Sequence, residues 1–137
     1  MKTLNQQLVS LELAQKMKEF GFKQESFFVW LHSKVDNKAT ILENLNMDLD
    51  TENFKYFSAY TVAELGEMLP DNIKANSNSY WLKTAKTKLS TDQTYHVVYY
   101  EDNHPIDGEV ISFTADTEAD ARGKMLIYLV ENNLITI

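Results

Sequence analysis

Residues 117–137 read TEADARGKMLIYLVENNLITI, and this stretch is the strongest structural signal in the chain. Thr117 is a favoured helix N-cap residue. Asp120 follows at the third helical position, where a side chain can accept a hydrogen bond from the N-cap backbone N–H. Apolar residues then cover a broad arc of the helix, so polar residues keep only a narrow stripe. Such a helix is largely buried, and we expect it to lie across a β-sheet. The arc contains Ala119, Ala121, Met125, Leu126, Tyr128, Leu129 and Val130, and the stripe contains Asp120, Lys124 and Glu131.

Gly123 interrupts this helix pattern. Glycine in a helix interior costs up to about 1 kcal/mol relative to alanine. We therefore predict one of two outcomes for Gly123→Ala: either the alanine stabilises the protein, or the backbone packs there too closely for a methyl group.

Two further helices are predicted N-terminal to this one. The first runs from about Leu11 to Phe20 and is stopped by Gly21, which suits the left-handed conformation that often follows a helix. The second follows Thr61, which with Glu64 has the spacing of a capping box, and it ends before Pro70.

Strands are predicted between these helices. Residues 26–32 read SFFVWLH, with apolar side chains on both faces, so this strand should be central in its sheet. A short strand is expected near residues 40–43, whereas the rest of 33–55 has no clear periodicity. Asp107-Gly108 is a favoured hairpin dipeptide, and we expect it in a loop between the last two strands. These last two strands are predicted at 94–101 and 109–114, and the strand before them at 79–89.

The order of helix, strand, helix, strands and helix predicts an α+β fold. We expect a single domain over residues 1–137, in which about four to five mainly antiparallel strands are accompanied by three helices. The C-terminal helix should pack on the sheet.

Composition excludes several classes of function. The chain has no cysteine, which rules out disulfides, thiolate catalysis and cysteine-based metal sites. No run approaches the roughly 18 apolar residues of a membrane span. The N-terminus lacks the apolar core of a secretory signal, so we expect a cytoplasmic protein. No cofactor-binding motif occurs, and we predict no cofactor.

The net charge of −7 is unevenly distributed. Residues 1–90 carry 11 acidic and 11 basic residues, whereas residues 91–137 carry 9 acidic residues against only Arg122 and Lys124. An acidic surface repels phosphate backbones, which disfavours nucleic acid as a partner and suits a basic one. A solubilising surface would explain the same imbalance.

One segment is both basic and aromatic. Aromatic side chains beside lysines on a sheet can bind single-stranded nucleic acid, which makes this segment a candidate site for nucleic acid or a nucleotide. Strand alternation divides it between two faces, and lysines are also common protection for an edge strand, which is the interpretation that we favour. The candidate residues are Tyr80, Trp81, Lys83, Lys86 and Lys88.

The nearest approach to a reactive cluster lies in and after the strand at 94–101. His96, His104 and Asp107 are residue types that ligate metals or transfer protons. Their spacing matches no compact metal motif, because His96 lies within the strand and the other two lie in a polar loop. A metal-assisted enzyme around these residues is therefore an alternative hypothesis.

Aromatic residues are abundant, with seven Tyr, seven Phe and two Trp. Alternation places Tyr95, Val97 and Tyr99 on one strand face, with His96 and the residues in phase with it on the other. Core packing is the default role of such residues, but exposed tyrosines make good interface anchors. Together with the lack of a catalytic motif, this favours a non-enzymatic interaction protein that binds another protein or a second copy of itself.

Three segments together resemble a family of small uncharacterised Bacteroidetes proteins that are often encoded in prophages or other mobile elements. The segments are SLELAQKMKEFGF at 10–22, YTVAELGEMLP at 60–70 and DTEADARGKMLIYLVENNLI at 116–135. The family has no assigned activity or site residues. The resemblance implies a cytoplasmic α+β protein of phage-associated origin.

Overall fold

A computed structural model of the protein describes residues 2–44, 50–75, 77–88, 93–102 and 110–137. Within these ranges the chain forms four helices and seven strands. In chain order they are α1 (Leu4–Gln7), α2 (Leu11–Glu19), β1 (Phe28–Ser33), β2 (Ala39–Glu43), β3 (Phe54–Ser58), α3 (Val62–Met68), β4 (Asn72–Ala75), β5 (Asn78–Lys88), β6 (Thr94–Asp102), β7 (Val110–Ala115) and α4 (Glu118–Glu131).

The strands form two antiparallel sheets, one with the order β2-β1-β3 and one with the order β4-β5-β6-β7. The predicted α+β class with mainly antiparallel strands is therefore confirmed. The described strands outnumber the four to five expected, because β3 and the four-residue β4 carry too little alternation to be seen in the sequence. The short helix α1 is also additional. The predicted loop at Asp107-Gly108 lies outside the described residues, as do Leu89 and Glu109.

Helix α4 begins and packs as its sequence predicts. The Thr117 side chain accepts a hydrogen bond from the Asp120 backbone N–H at 3.2 Å. Six residues of the helix are buried, and the helix contacts β6 and β7. The Tyr128 ring lies 5.4 Å from the Phe113 ring of β7, centroid to centroid. The C-terminal helix thus covers one face of the four-stranded sheet.

The polar stripe of α4 is less exposed than its composition predicts. The Asp120 carboxylate accepts a hydrogen bond from the Ser10 backbone N–H at 2.7 Å. Lys124 Nζ donates to the Thr114 carbonyl oxygen at 3.1 Å. Two residues of the stripe therefore bind neighbouring elements: Asp120 binds the chain just before α2, and Lys124 binds β7.

The ends of α2 and α3 follow their predicted signals. Gly21 has a φ of 90°, and the Phe22 N–H donates to the Met17 carbonyl oxygen at 3.0 Å, which closes α2 with a Schellman motif. At α3, the Glu64 N–H donates to Thr61 Oγ1 at 3.1 Å and the Thr61 N–H donates to Glu64 Oε2 at 2.8 Å. This reciprocal pair is the predicted capping box.

Strand β1 is central in the three-stranded sheet, as its two apolar faces predict. Trp30 and Phe57 pack from this sheet against the main core. Trp30 Nε1 donates to the Val9 carbonyl oxygen at 2.9 Å, and the Val9 N–H donates to the Tyr60 carbonyl oxygen at 2.9 Å. The segment before α2 therefore joins the smaller sheet to the helices that cover the larger one.

Candidate functional site

The basic aromatic segment lies on β5, where alternation sends its side chains to opposite faces of the sheet. Tyr80 lies in the core and is only 1% exposed, whereas the neighbouring Trp81 is 43% exposed. Lys83 shares the face of Trp81, and Lys86 and Lys88 share the face of Tyr80. The five candidate residues are therefore not brought together on one surface, and Tyr80 is not available to a ligand.

The edge-strand interpretation applies to only part of β5. Residues 78–81 pair with β4 on one side and, from Tyr80 onward, with β6 on the other. Beyond Leu82, no described strand pairs with the β4 side. The three lysines lie on this unpaired stretch, where lysine disfavours pairing with another chain. Tyr80 and Trp81 lie inside the sheet, because residues 72–75 form a strand that the sequence pattern does not reveal.

The face of the four-stranded sheet that points away from α4 is partly open to solvent. We call the residues on this side the open face, and its exposed apolar members are Trp81 and Val110, at 43% and 51% exposure. Glu101 lies between them, paired with Trp81 across β5–β6 and with Val110 across β6–β7. The open face includes Lys74, Trp81, Lys83, Tyr95, Val97, Tyr99, Glu101 and Val110.

One ion pair lies on the open face. Lys83 Nζ lies 2.8 Å from Glu101 Oε2, and both side chains are substantially exposed. The hydrogen bond to Glu101, followed by the carboxylate charge, raises the pKa of Lys83 above its usual value. The face therefore combines aromatic and apolar groups with one ion pair and the additional cation Lys74, in a chain whose net charge is −7.

The outer edge of β3 offers a contrasting surface. A groove of about 780 Å³ runs between α2 and this strand. Lys18 Nζ donates to the Tyr56 carbonyl oxygen at 2.9 Å, and Gln24 Oε1 accepts from the Ser58 N–H at 2.8 Å. Side chains thus already bind two backbone groups that a further strand would need. This protection makes strand addition at β3 less favourable than docking on the open face.

His96 lies on the opposite side of the sheet, towards α4, and is 9% exposed. No described residue forms a hydrogen bond with its imidazole. Burial, and then the positive charge of Lys2 and Lys86, lowers the pKa of His96 below its usual 6.5. Glu118 opposes this shift and lies on the same small cavity, which has a volume of about 220 Å³.

The metal hypothesis involves residues that the structure describes only in part. His104 and Asp107 lie outside the described residues, so a metal site that they form with His96 stays a prediction. Within the described ranges, no three or more His, Asp or Glu side chains are grouped as metal ligands. The two lysines beside His96 also disfavour a cation, because like charges repel.

Comparison of the chain with family models, with curated proteins and with solved structures finds no match. Among the helices of the described ranges, none has the length and apolar character required to cross a bilayer. Function must therefore be inferred from the chemistry of the protein's own surface. Alternation in the sequence groups Tyr95, Val97 and Tyr99, but Val110 joins them only through the pairing of β6 with β7.

Proposed function

We propose that this protein is a non-enzymatic interaction module that binds a protein surface through its open face. The observation that carries the proposal is the exposure of Trp81 on a sheet face that also holds Tyr99 and Val110. Trp and Tyr dominate the binding energy of protein interfaces, since they bury a large area with few rotatable bonds. An exposed apolar patch on a folded chain often marks an interaction site.

The occupant that we propose is a second copy of the chain. Lys83 and Glu101 are adjacent on the open face, so two faces related by a two-fold axis could exchange the partners of this ion pair. The described charged residues of the face, Lys74, Lys83 and Glu101, give it no excess of acidic groups, so two such faces avoid the repulsion between the acidic remainders of the chains.

The size of the open face predicts a weak dimer. Four strands about 4.8 Å apart, with an average of about seven residues at roughly 3.3 Å each, give about 400 Å² per copy. A stable interface of standard size buries about 800 Å² per partner. We therefore expect reversible association that becomes visible only at high protein concentration.

Sedimentation equilibrium from about 10 µM to about 1 mM tests this proposal over the range of a weak Kd. The wild-type protein should dimerise at the upper end, and Trp81→Ser should remain monomeric. Phe27→Ser is the matched control, because Phe27 is 71% exposed but lies outside the four-stranded sheet. This control should associate as the wild type does.

Two results would contradict the proposal. A wild-type protein that stays monomeric at about 1 mM, a concentration at which a millimolar Kd would show, removes the second copy as occupant. Dissociation by Phe27→Ser with no effect of Trp81→Ser would show that another surface associates.

Single-stranded nucleic acid is a second candidate for the same face. Trp81, Lys83 and Tyr99 lie side by side there, which combines stacking surfaces with a cation. The acidic chain opposes this candidate, because phosphate backbones are repelled by negative charge. Fluorescence anisotropy with short labelled oligonucleotides at low salt distinguishes a nucleic-acid partner from a protein partner. Salt-sensitive binding that is lost in Trp81→Ser would show that the open face binds nucleic acid.

The proposal also includes a cytoplasmic location and a phage-associated origin. The absence of cysteine supports the first, and the resemblance described above supports the second. Fractionation of the native host with an antibody to the protein tests the location, and a signal confined to a non-cytoplasmic fraction would contradict it.

A further inference from the structure

The small cavity beside His96 has the charge and size of an anion site. It is lined by Lys2, Thr84, Lys86, His96 and Glu118, among others, and its volume is about 220 Å³. We propose that this cavity binds a phosphate group, either as inorganic phosphate or as the monoester of a small molecule. The proposal does not rest on association through the open face, which lies mainly on the other side of the same sheet and shares only Val97 with the cavity lining.

Cations converge on the cavity from two parts of the chain. Lys86 is directly opposite His96 in the register of β5 and β6, and Lys2 approaches from the N-terminal segment. The carboxylate of Glu118 also lies on the cavity, but its Oε1 is 2.7 Å from Arg122 Nη2, so its negative charge is matched by a guanidinium. The two lysines therefore make the electrostatic potential in the cavity positive.

His96 supplies an observation that points to a ligand. More than nine-tenths of its surface is buried, it lines the cavity, and its imidazole has no hydrogen-bond partner among the described residues. Its ring nitrogens are not among the fully buried, unpartnered atoms of the described residues, which are Ser58 Oγ, Tyr60 OH and Arg122 Nε, so they are open to the cavity and available to a ligand. An oxyanion would accept hydrogen bonds from the imidazole and from both lysines, and the Thr84 hydroxyl could donate another.

Phosphate suits these groups better than a metal ion or a simple carboxylate. A metal cation would be repelled by Lys2 and Lys86. A phosphate monoester carries about −1.5 to −2 charges at pH 7 and three acceptor oxygens, which match two ammonium groups and one imidazole. The lysines lower the pKa of His96 by repelling its proton, and the negative charge of a bound phosphate would offset this repulsion. Phosphate binding should therefore raise the pKa of His96 from its lowered value.

NMR of the histidine ring protons tests the proposal on the full chain. Titration with inorganic phosphate should shift the His96 resonances saturably and raise the pKa of His96. His32 is an internal control, because its ring bonds Asn37 at 2.7 Å in the other sheet. Lys86→Gln should weaken phosphate binding about tenfold, the equivalent of ~1.4 kcal/mol. Lys88→Gln is the matched control: Lys88 lies two residues along β5, outside the cavity lining, and its loss should leave binding unchanged.

Parallel titrations define the ligand class and the results that overturn the proposal. Tighter binding of O-phosphoserine than of phosphate would identify a monoester, and the reverse would identify the inorganic ion. Acetate that binds as tightly as phosphate would overturn the phosphate assignment. So would a linear, unsaturated response to about 50 mM phosphate, well above a millimolar Kd, or an equal response in a folded Lys86→Gln variant.

Discussion

Replacing Gly123 by alanine sets helix propensity against packing at one position of α4. Alanine is the better helix former by up to about 1 kcal/mol. However, a β-carbon at this position would lie 3.0 Å from Val9 Cγ2 and 3.6 Å from Leu13 Cδ1. Val9 is fully buried, and both its backbone N–H and its carbonyl oxygen form hydrogen bonds, with Tyr60 and Trp30. We therefore expect that Val9 cannot move aside and that the close approach decides the outcome.

The expected effect is a net loss of stability. Overpacking of a close-packed core typically lowers the free energy of unfolding by about 1–3 kcal/mol, and we take the middle of this range, about 2 kcal/mol. Subtracting the gain of up to about 1 kcal/mol in propensity leaves Gly123→Ala less stable by about 1 kcal/mol. Urea unfolding followed by circular dichroism should show a lower midpoint with an unchanged slope.

A double-mutant cycle with Val9→Ala tests the physical reason. The smaller side chain at Val9 removes the atom that the new methyl group would meet, so Gly123→Ala should become stabilising in that background. The coupling energy should be about 1–2 kcal/mol. Stabilisation of the wild type by Gly123→Ala, with no coupling to Val9→Ala, would refute the packing argument. An unchanged midpoint in both backgrounds would contradict propensity and packing alike.

Other residues give further predictions. Thr61→Ala removes the accepting side chain of the α3 capping box and should lower the unfolding free energy by ~1 kcal/mol, whereas equal urea midpoints would show that the box is dispensable. Trp30→Phe leaves the Val9 carbonyl oxygen without its indole donor and should cost about 1–3 kcal/mol by the same assay; a loss below that range would mean that water replaces the indole. For His96, the folded-state pKa is lowered from 6.5, so the unfolded chain takes up the proton first and stability is lost as pH falls below 6.5. His96→Gln lacks this loss, so the stability of the wild type relative to the variant should decrease below pH 6.5, and parallel pH profiles would contradict the lowered pKa.

Helices with complete local signals could be predicted from the sequence. Thr61 with Glu64, Gly21 after α2, and Thr117 before α4 each act through residues within one turn, so their structural effect does not depend on the rest of the chain. β3 and β4 could not be predicted in the same way. Their few residues become strands because β1 and β5 offer hydrogen-bonding edges, and that pairing is a tertiary property.

The candidate surfaces show the same division. Alternation alone separates Tyr99 from His96 within residues 94–101, because neighbouring side chains of a strand point to opposite faces. Which of the two faces is covered depends on where α4 docks. The structure buries His96 under the helix side and leaves Trp81 and Val110 on the other. The cavity beside His96 also requires Lys2, which is distant in sequence.

Local patterns were enough to predict the helix caps, the α+β class, the amphipathic character of α4 and the phase of each clear strand, because all of these depend on contacts between near neighbours in the chain. Three features became visible only in the folded chain: the strands divide into two sheets, Gly123 lies against Val9, and Trp81 is exposed while Tyr80 is buried. These features arise from contacts between distant segments, whose free energies depend on burial and packing that no local pattern encodes.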